Sequence, residues 1–225
     1  ATEDPFDKAY ELETELEKKN KNGLLSMVRS VLPEGVRGIY IRQAEPLGLG
    51  HAVLVAQPVV GDDPFAVILA DDLMDSAPPA MARMAEIFER EQCSLLGVEE
   101  VPRDQTQSYG IVTIDKLQDD TARIHSIVEK PKPKDAPSNL AVIGRYVLSN
   151  RIFDMLSRVT PGAGGEIQLT DGISALLAHE RALAVRLPGR RFDCGSKLGY
   201  LQATVEFGVR HPETGAEFTR YLKSR

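Results

Sequence analysis

Positive charge in excess is missing from this chain. Its 27 lysines and arginines are outnumbered by 33 acidic residues, giving a net charge of -6 and a pI near 5.3. That excludes the dense basic footprint a nucleic-acid polymer needs, though a small anionic substrate held by a few placed groups stays open. Cysteine is scarce as well: Cys93 and Cys194 lie far apart and outside any metal-binding spacing, which points to free thiols in a reducing cytoplasm. The four histidines, His51, His125, His179 and His211, share no spacing, which argues against a zinc site or a histidine-based triad. No apolar run is long enough to cross a bilayer, and there is no internal repeat or low-complexity tract. What remains, 225 residues with 42% hydrophobic and 27% charged, is an ordinary globule large enough for one substantial core.

The organising stretch is Phe65-Ala-Val-Ile-Leu-Ala-Asp-Asp-Leu73. Its uninterrupted apolar run reads as a central strand of a sheet covered on both faces, with Asp71 and Asp72 at its carboxyl end. Ligands of open α/β sheets bind at that edge, where an aspartate can hold a hard cation against phosphate; the plainer reading is a strand end capped by a turn.

Ahead of it, an amphipathic helix runs from Phe6 to about Asn20. A second carries Leu24, Leu25, Val28, Val31 and Leu32 and stops at Pro33. Val36 to Arg42 reads as a short strand, followed by a glycine loop through Gly48 and Gly50 into a helix at Val53 to Ala56. After Leu73 come a helix opened by Pro78-Pro79 and an apolar run from Ser94 to Val98, the alternation of a layered α/β sheet. Strand-like segments at Tyr109 to Ile114, Ile124 to Glu129 and Leu140 to Leu148 suggest an antiparallel insertion that lids a pocket. Helices follow at Arg151 to Val159 and Ile173 to His179, then a strand at Ala182 to Leu187 and two closing helices.

Gln43, Gly48, Asp71, Gly110, Glu129, Lys130, Glu166, Asp193 and Lys197 each sit where an apolar run ends. A sheet of this kind would gather them. Two aspartates on separate strand ends can share one Mg²⁺, which keeps several waters, while lysines supply movable charges for phosphate. Lys130 equally suits a solvated lysine-rich loop, and Glu166 the amino-terminal charge of a helix. Lys197 opens a helix, where a cation is disfavoured unless an anion is near, which favours a functional role.

Seven blocks in register resemble the bacterial UTP-glucose-1-phosphate uridylyltransferases. They are Arg42-Gln-Ala-Glu-Pro-Leu-Gly-Leu-Gly-His-Ala52, Phe65 to Asp72, Ser108-Tyr-Gly-Ile-Val112, Ile127-Val-Glu-Lys-Pro131, Gly144-Arg-Tyr146, Gly164 to Asp171 and Phe192-Asp-Cys-Gly-Ser-Lys-Leu-Gly-Tyr200. The resemblance implies a Rossmann-like nucleotide-sugar transferase fold: a doubly wound mixed sheet in a single domain over 1–225, with helices at 198–225 that could meet a second subunit in a dimer or tetramer. It implies UTP, glucose 1-phosphate and UDP-glucose as ligands and Mg²⁺ as cofactor. By motif, Gln43 and Gly48 would contact the uracil, with Asp72 grouped on the nucleotide. Asp71 and Asp193 would hold the metal, Gly110 and Glu129 the glucose hydroxyls, and Lys130 the sugar phosphate. Glu166 and Gln168 would line the sugar side, and Lys197 would sit near the phosphates. A thymidylyltransferase, or an inactive nucleotide-sugar binding module, is the alternative. The family's opening strand and glycine-rich nucleotide loop have no counterpart here. The expectation is therefore an incomplete record of a longer protein, with little turnover from these residues alone and an unpaired edge beside Phe65 to Ala70.

Overall fold

A computed structural model describes residues 8–162 and 165–225, and the chain divides into two compact units, Ala1–Ala44 and Glu45–Arg225. In the first, helices α1 (Tyr10–Lys18) and α2 (Asn22–Arg29) form a hairpin. Asn20 takes the left-handed conformation at its turn (φ 51°), which a short polar side chain tolerates. Leu16 and Leu25 are buried, and Arg29 Nε donates to Glu13 Oε2 at 2.8 Å. The expected start of the first helix at Phe6 lies outside the described residues. The strand expected at Val36 to Arg42 does not form: that segment is coil, and no strand among the described residues pairs with it.

The second unit is built on a six-stranded sheet in the order β1 (Phe65–Ile68), β6 (Leu140–Leu148), β3 (Ser94–Glu100), β7 (Ala182–Arg186), β5 (Thr121–Glu129) and β4 (Gly110–Ile114). A separate ribbon pairs β2 (Asp72–Asp75) with β8 (Arg190–Asp193). The helices are α3 (Leu49–Leu54), α4 (Gln57–Val60), α5 (Ala80–Glu91), α6 (Arg151–Leu156), α7 (Leu169–Leu176), α8 (Lys197–Arg210) and α9 (Gly215–Lys223), with a 3₁₀ turn at Arg103–Ser108.

The fully buried interior position expected of Phe65 to Leu73 belongs to β6. All nine of its residues are buried, with β1 bonded antiparallel on one side and β3 on the other. β1 is shorter and sits at the sheet edge, where burial alternates. Phe65 and Val67 face the core, Phe65 stacking on Phe153 at 5.0 Å, while Ile68 is 57% exposed. The apolar run misled because its outward residues are covered by no layer among the described residues. The chain then turns at Leu69, whose amide donates to Gly144 O at 3.0 Å, and re-enters as β2.

The expected antiparallel strands β4, β5 and β6 belong to the main sheet, where β3 pairs with β7 in parallel. Both faces are covered. Ile152, Phe153 and Leu156 of α6 and Ile173 and Leu176 of α7 pack on one; Met84 and Ile87 of α5 pack against Leu95, Val147, Leu183 and Val185 on the other. This is a mixed α/β sheet wound on two sides, with antiparallel strands integral to it.

Candidate active site

Where β1 ends, Asp71 turns toward β8. In the β2–β8 ribbon Asp72 opposes Asp193, and just beyond that pair the Cys194 amide donates to Asp71 O at 2.7 Å. The Gly195 amide donates to Asp193 Oδ1 at 3.1 Å. A Cβ built on Gly195 would stand 2.9 Å from Asp71 Oδ2 and 3.1 Å from Asp193 Oδ1. Glycine therefore keeps open the space on which the carboxylates of Asp71, in the turn before β2, and Asp193, at the end of β8, converge. That donor set suits a hard cation that keeps waters and takes its remaining oxygens from phosphate. No group of three or more His, Cys, Asp or Glu residues among those described forms an all-protein cage.

These carboxylates border a cleft of about 460 Å³, within the usual range for small-ligand sites. Glu129 closes β5, and its Oε2 accepts from Thr170 Oγ1 at 2.8 Å. Gly110 lies opposite Glu129 in register; a Cβ there would meet Thr170 Cγ2 at 2.7 Å, so a side chain would force the strand and α7 apart. Lys130 follows in left-handed conformation (φ 43°), a state costing roughly 1–2 kcal/mol for a residue with a Cβ. Its amide donates to Tyr109 O at 3.0 Å, and its Nζ lies 3.3 Å from Glu129 Oε1. Across the cleft, Gln168 Nε2 donates to Glu166 Oε2 at 2.6 Å. The glycine loop is clamped against this segment: the Gly50 amide donates to Ile167 O and the Ile167 amide to Leu47 O, and a Cβ on Gly48 (φ 94°) would fall 2.9 Å from Ile167 O.

Five carboxylates (Asp71, Asp72, Glu129, Glu166, Asp193) line the cleft against two cations (Lys130, Arg191). Such a balance repels a phosphate ester unless a divalent cation enters with it. Asp72 is set apart from the others. Its side chain is 6% exposed, with Oδ1 accepting from Arg191 Nε at 2.6 Å and Oδ2 from the Gly144 amide at 2.7 Å. Arg145 Nη2 donates to the Asp72 carbonyl at 2.6 Å. Burial lowers the proton affinity of the Arg191 guanidinium, but its hydrogen bonds to Asp72 and Tyr109 outweigh that and hold it above the ordinary arginine value.

The sequence profile of the nucleotidyl transferase family matches residues 7–208. The chain is 44% identical to the UTP-glucose-1-phosphate uridylyltransferase of Haemophilus influenzae over 100% of its own length and 79% of that protein, and 43% identical to that of Pseudomonas aeruginosa over 90% and 73%. It belongs to the bacterial UTP-glucose-1-phosphate uridylyltransferase family. The solved UTP-bound uridylyltransferase of Acinetobacter baumannii superposes with a TM-score of 0.88 at 44% identity, covering 98% of this chain and 77% of that one. A UDP-glucose pyrophosphorylase complexed with UDP-glucose gives 0.81 at 38% identity, covering 100% and 77%. A putative glucose-1-phosphate thymidylyltransferase of Bacillus anthracis shares the fold alone, at 24% identity and a TM-score of 0.63.

The cleft gathers most of the residues the sequence singled out: Gly48, Asp71, Asp72, Gly110, Glu129, Lys130, Glu166, Gln168 and Asp193 all line it. Two others are placed differently. Lys197 is exposed at the start of α8 and does not line the cleft, because Ser196 caps that helix and the next side chain turns outward. Gln43 belongs to the first unit, in coil. Asp72, expected on the nucleotide, lines the cleft and is engaged within the protein, its oxygens accepting bonds from Arg191 and Gly144. Sequence reasoning missed Tyr109, Thr170, Arg191 and Gly195. Arg191 had a signal, standing two residues before Asp193 and so on the same face of a strand, but β8 was not foreseen.

Proposed function

We propose that the enzyme transfers the uridylyl group of UTP to glucose 1-phosphate, giving UDP-glucose and pyrophosphate. The observation that carries this reading is the convergence of Asp71 and Asp193 over Gly195, at one side of a cleft whose other side presents Glu129 and Lys130. We read residues 1–225 as one nucleotidyltransferase domain, a reading supported by the family match over residues 7–208.

Nucleotidyltransferases generally use a divalent cation; here we assign Mg²⁺, held by Asp71 and Asp193, which when bound supplies positive charge against the triphosphate oxygens. The Lys130 ammonium holds the phosphate of the sugar substrate, and Glu129 with the Gly110 backbone orients the glucose hydroxyls. Gly48 brings the loop backbone to the base, Gln168 supplies an amide to the sugar, and Glu166 lines the sugar side. An oxygen of glucose 1-phosphate attacks the α-phosphorus in line, one P–O bond forming as the bond to pyrophosphate breaks. No proton need be abstracted, because that oxygen is already ionised at neutral pH, so positioning and charge neutralisation are what the side chains contribute.

Pyrophosphate release with UTP, glucose 1-phosphate and Mg²⁺, run beside dTTP and beside Asp71→Asn, tests this. The reading expects faster release with UTP and at least about a 100-fold loss in the variant, roughly 2.7 kcal/mol. Equal rates for Asp71→Asn and the parent remove the metal assignment. No helix among the described residues is long and apolar enough to cross a membrane; with two free cysteines, we place the enzyme in the cytoplasm. Leu198, Leu201 and Val205 form an exposed stripe on α8 that we assign to self-association, and Leu201→Glu should lower the mass measured by light scattering.

A further inference from the structure

One cationic side chain in the cleft faces inward rather than toward substrate. Arg191 is 9% exposed and reaches three groups at once: Nε to Asp72 Oδ1 at 2.6 Å, Nη1 to Glu99 Oε2 at 3.4 Å and Nη1 to Tyr109 Oη at 3.4 Å. The guanidinium also lies over the Tyr109 ring, 5.1 Å from its centre. Tyr109 Oη in turn donates to Asp193 Oδ2 at 3.2 Å. The other oxygen of Asp193 is the one that faces Asp71 over Gly195. Asp72, at the far end of the chain of bonds, is the register partner of Asp193 across the ribbon and the neighbour of Asp71.

We propose that Arg191 is a positioning residue for the carboxylate pair: by gripping Asp72 and Tyr109 together it fixes the rotamer of Asp193 and so the spacing between Asp71 and Asp193. This rests on the reading of that pair as the metal-holding group. A lysine cannot replace it, because only the planar fork reaches the carboxylate and the hydroxyl from one stem. The arrangement also keeps Asp72 occupied, so that a third carboxylate beside the pair is neutralised instead of competing for the cation. Groups that orient ligands in this way commonly change metal affinity by 10–100-fold when lost.

The test is Mn²⁺ binding by the full chain, followed by EPR in the presence of UDP-glucose, with thermal unfolding measured on every variant. Tyr109→Phe removes one hydroxyl, and should raise the Mn²⁺ dissociation constant about 10-fold with unchanged unfolding temperature. Arg191→Lys should raise it to a similar degree. If Arg191 acts through Tyr109, adding Tyr109→Phe to Arg191→Met produces no further loss, a non-additivity that general destabilisation does not create. Asp72→Leu with Arg191→Met replaces the buried pair by apolar side chains, keeping the fold while still weakening Mn²⁺ binding, and guards against misfolding of the single variant. Parent-like affinity in Tyr109→Phe and Arg191→Lys overturns the proposal alone, as does a fully additive double variant. Failure of the parent itself to bind Mn²⁺ overturns it together with the metal reading.

Discussion

Replacing Gly195 by alanine places a methyl group where Asp71 and Asp193 converge. The added Cβ would lie 2.9 Å from Asp71 Oδ2, 3.1 Å from Asp193 Oδ1 and 3.7 Å from Asp71 Cγ. Each carboxylate must retreat by a few tenths of an ångström, more than the roughly 0.2 Å tolerance of a small hard cation whose bonds are about 2.0–2.1 Å. An affinity loss of at least about 10-fold follows, close to 1.4 kcal/mol. Stability should be spared: Gly195 is exposed and does not occupy the left-handed region, so alanine meets no backbone strain and the cost to folding stays within about 0.5 kcal/mol. The assay is again Mn²⁺ binding by EPR, paired with thermal unfolding. An alanine variant that binds Mn²⁺ as tightly as the parent would refute the shared-cation geometry, because the methyl and a cation coordinated by both oxygens compete for the same space.

Three further changes probe other parts of the structure. Leu148→Ala empties a fully buried position of β6 and should cost about 2–5 kcal/mol, lowering the unfolding temperature by about 5–15 °C; a shift of under 2 °C would contradict the buried packing of that strand. Thr170→Val removes the hydroxyl bonded to Glu129 and should raise the KM for glucose 1-phosphate by about 10-fold while leaving that for UTP unchanged; an effect confined to UTP would move Glu129 off the sugar. Burial raises the Cys93 thiol above its ordinary range, so its thiolate fraction at a given pH is reduced and alkylation accelerates only at pH above the usual thiol midpoint. Mass-spectrometric labelling across pH checks this, and a midpoint in the ordinary range would deny the burial.

The helices and most strands were legible because their periodicities survive in the sequence: β6 reads as a largely apolar run interrupted by Arg145, and all nine of its residues are buried. The same rule placed Phe65 to Leu73 at the centre, and there it failed. A run of six apolar residues does not say whether its outward side chains are covered, and Ile68 is not. The strand at Val36 to Arg42 failed for a related reason, since β propensity forms no ladder without a partner. At the site, residues at strand ends were readable because a sheet's edge is where side chains from different strands meet. Lys197 departs from that pattern: it is the exposed first residue of a helix capped by Ser196 and does not line the cleft. Asp72 and Arg191 were opaque, as they are 119 residues apart and only the β2–β8 ribbon brings them together. Gly195 carried no signal beyond its identity, because what matters there is the absence of a side chain between two carboxylates.

The most direct measurement of the central claim is anomalous scattering from crystals grown with UDP-glucose and Mn²⁺. The account requires a manganese peak bridging Asp71 Oδ2 and Asp193 Oδ1 beside the diphosphate. A peak held by Glu129 and Glu166 with neither aspartate among its ligands would contradict it.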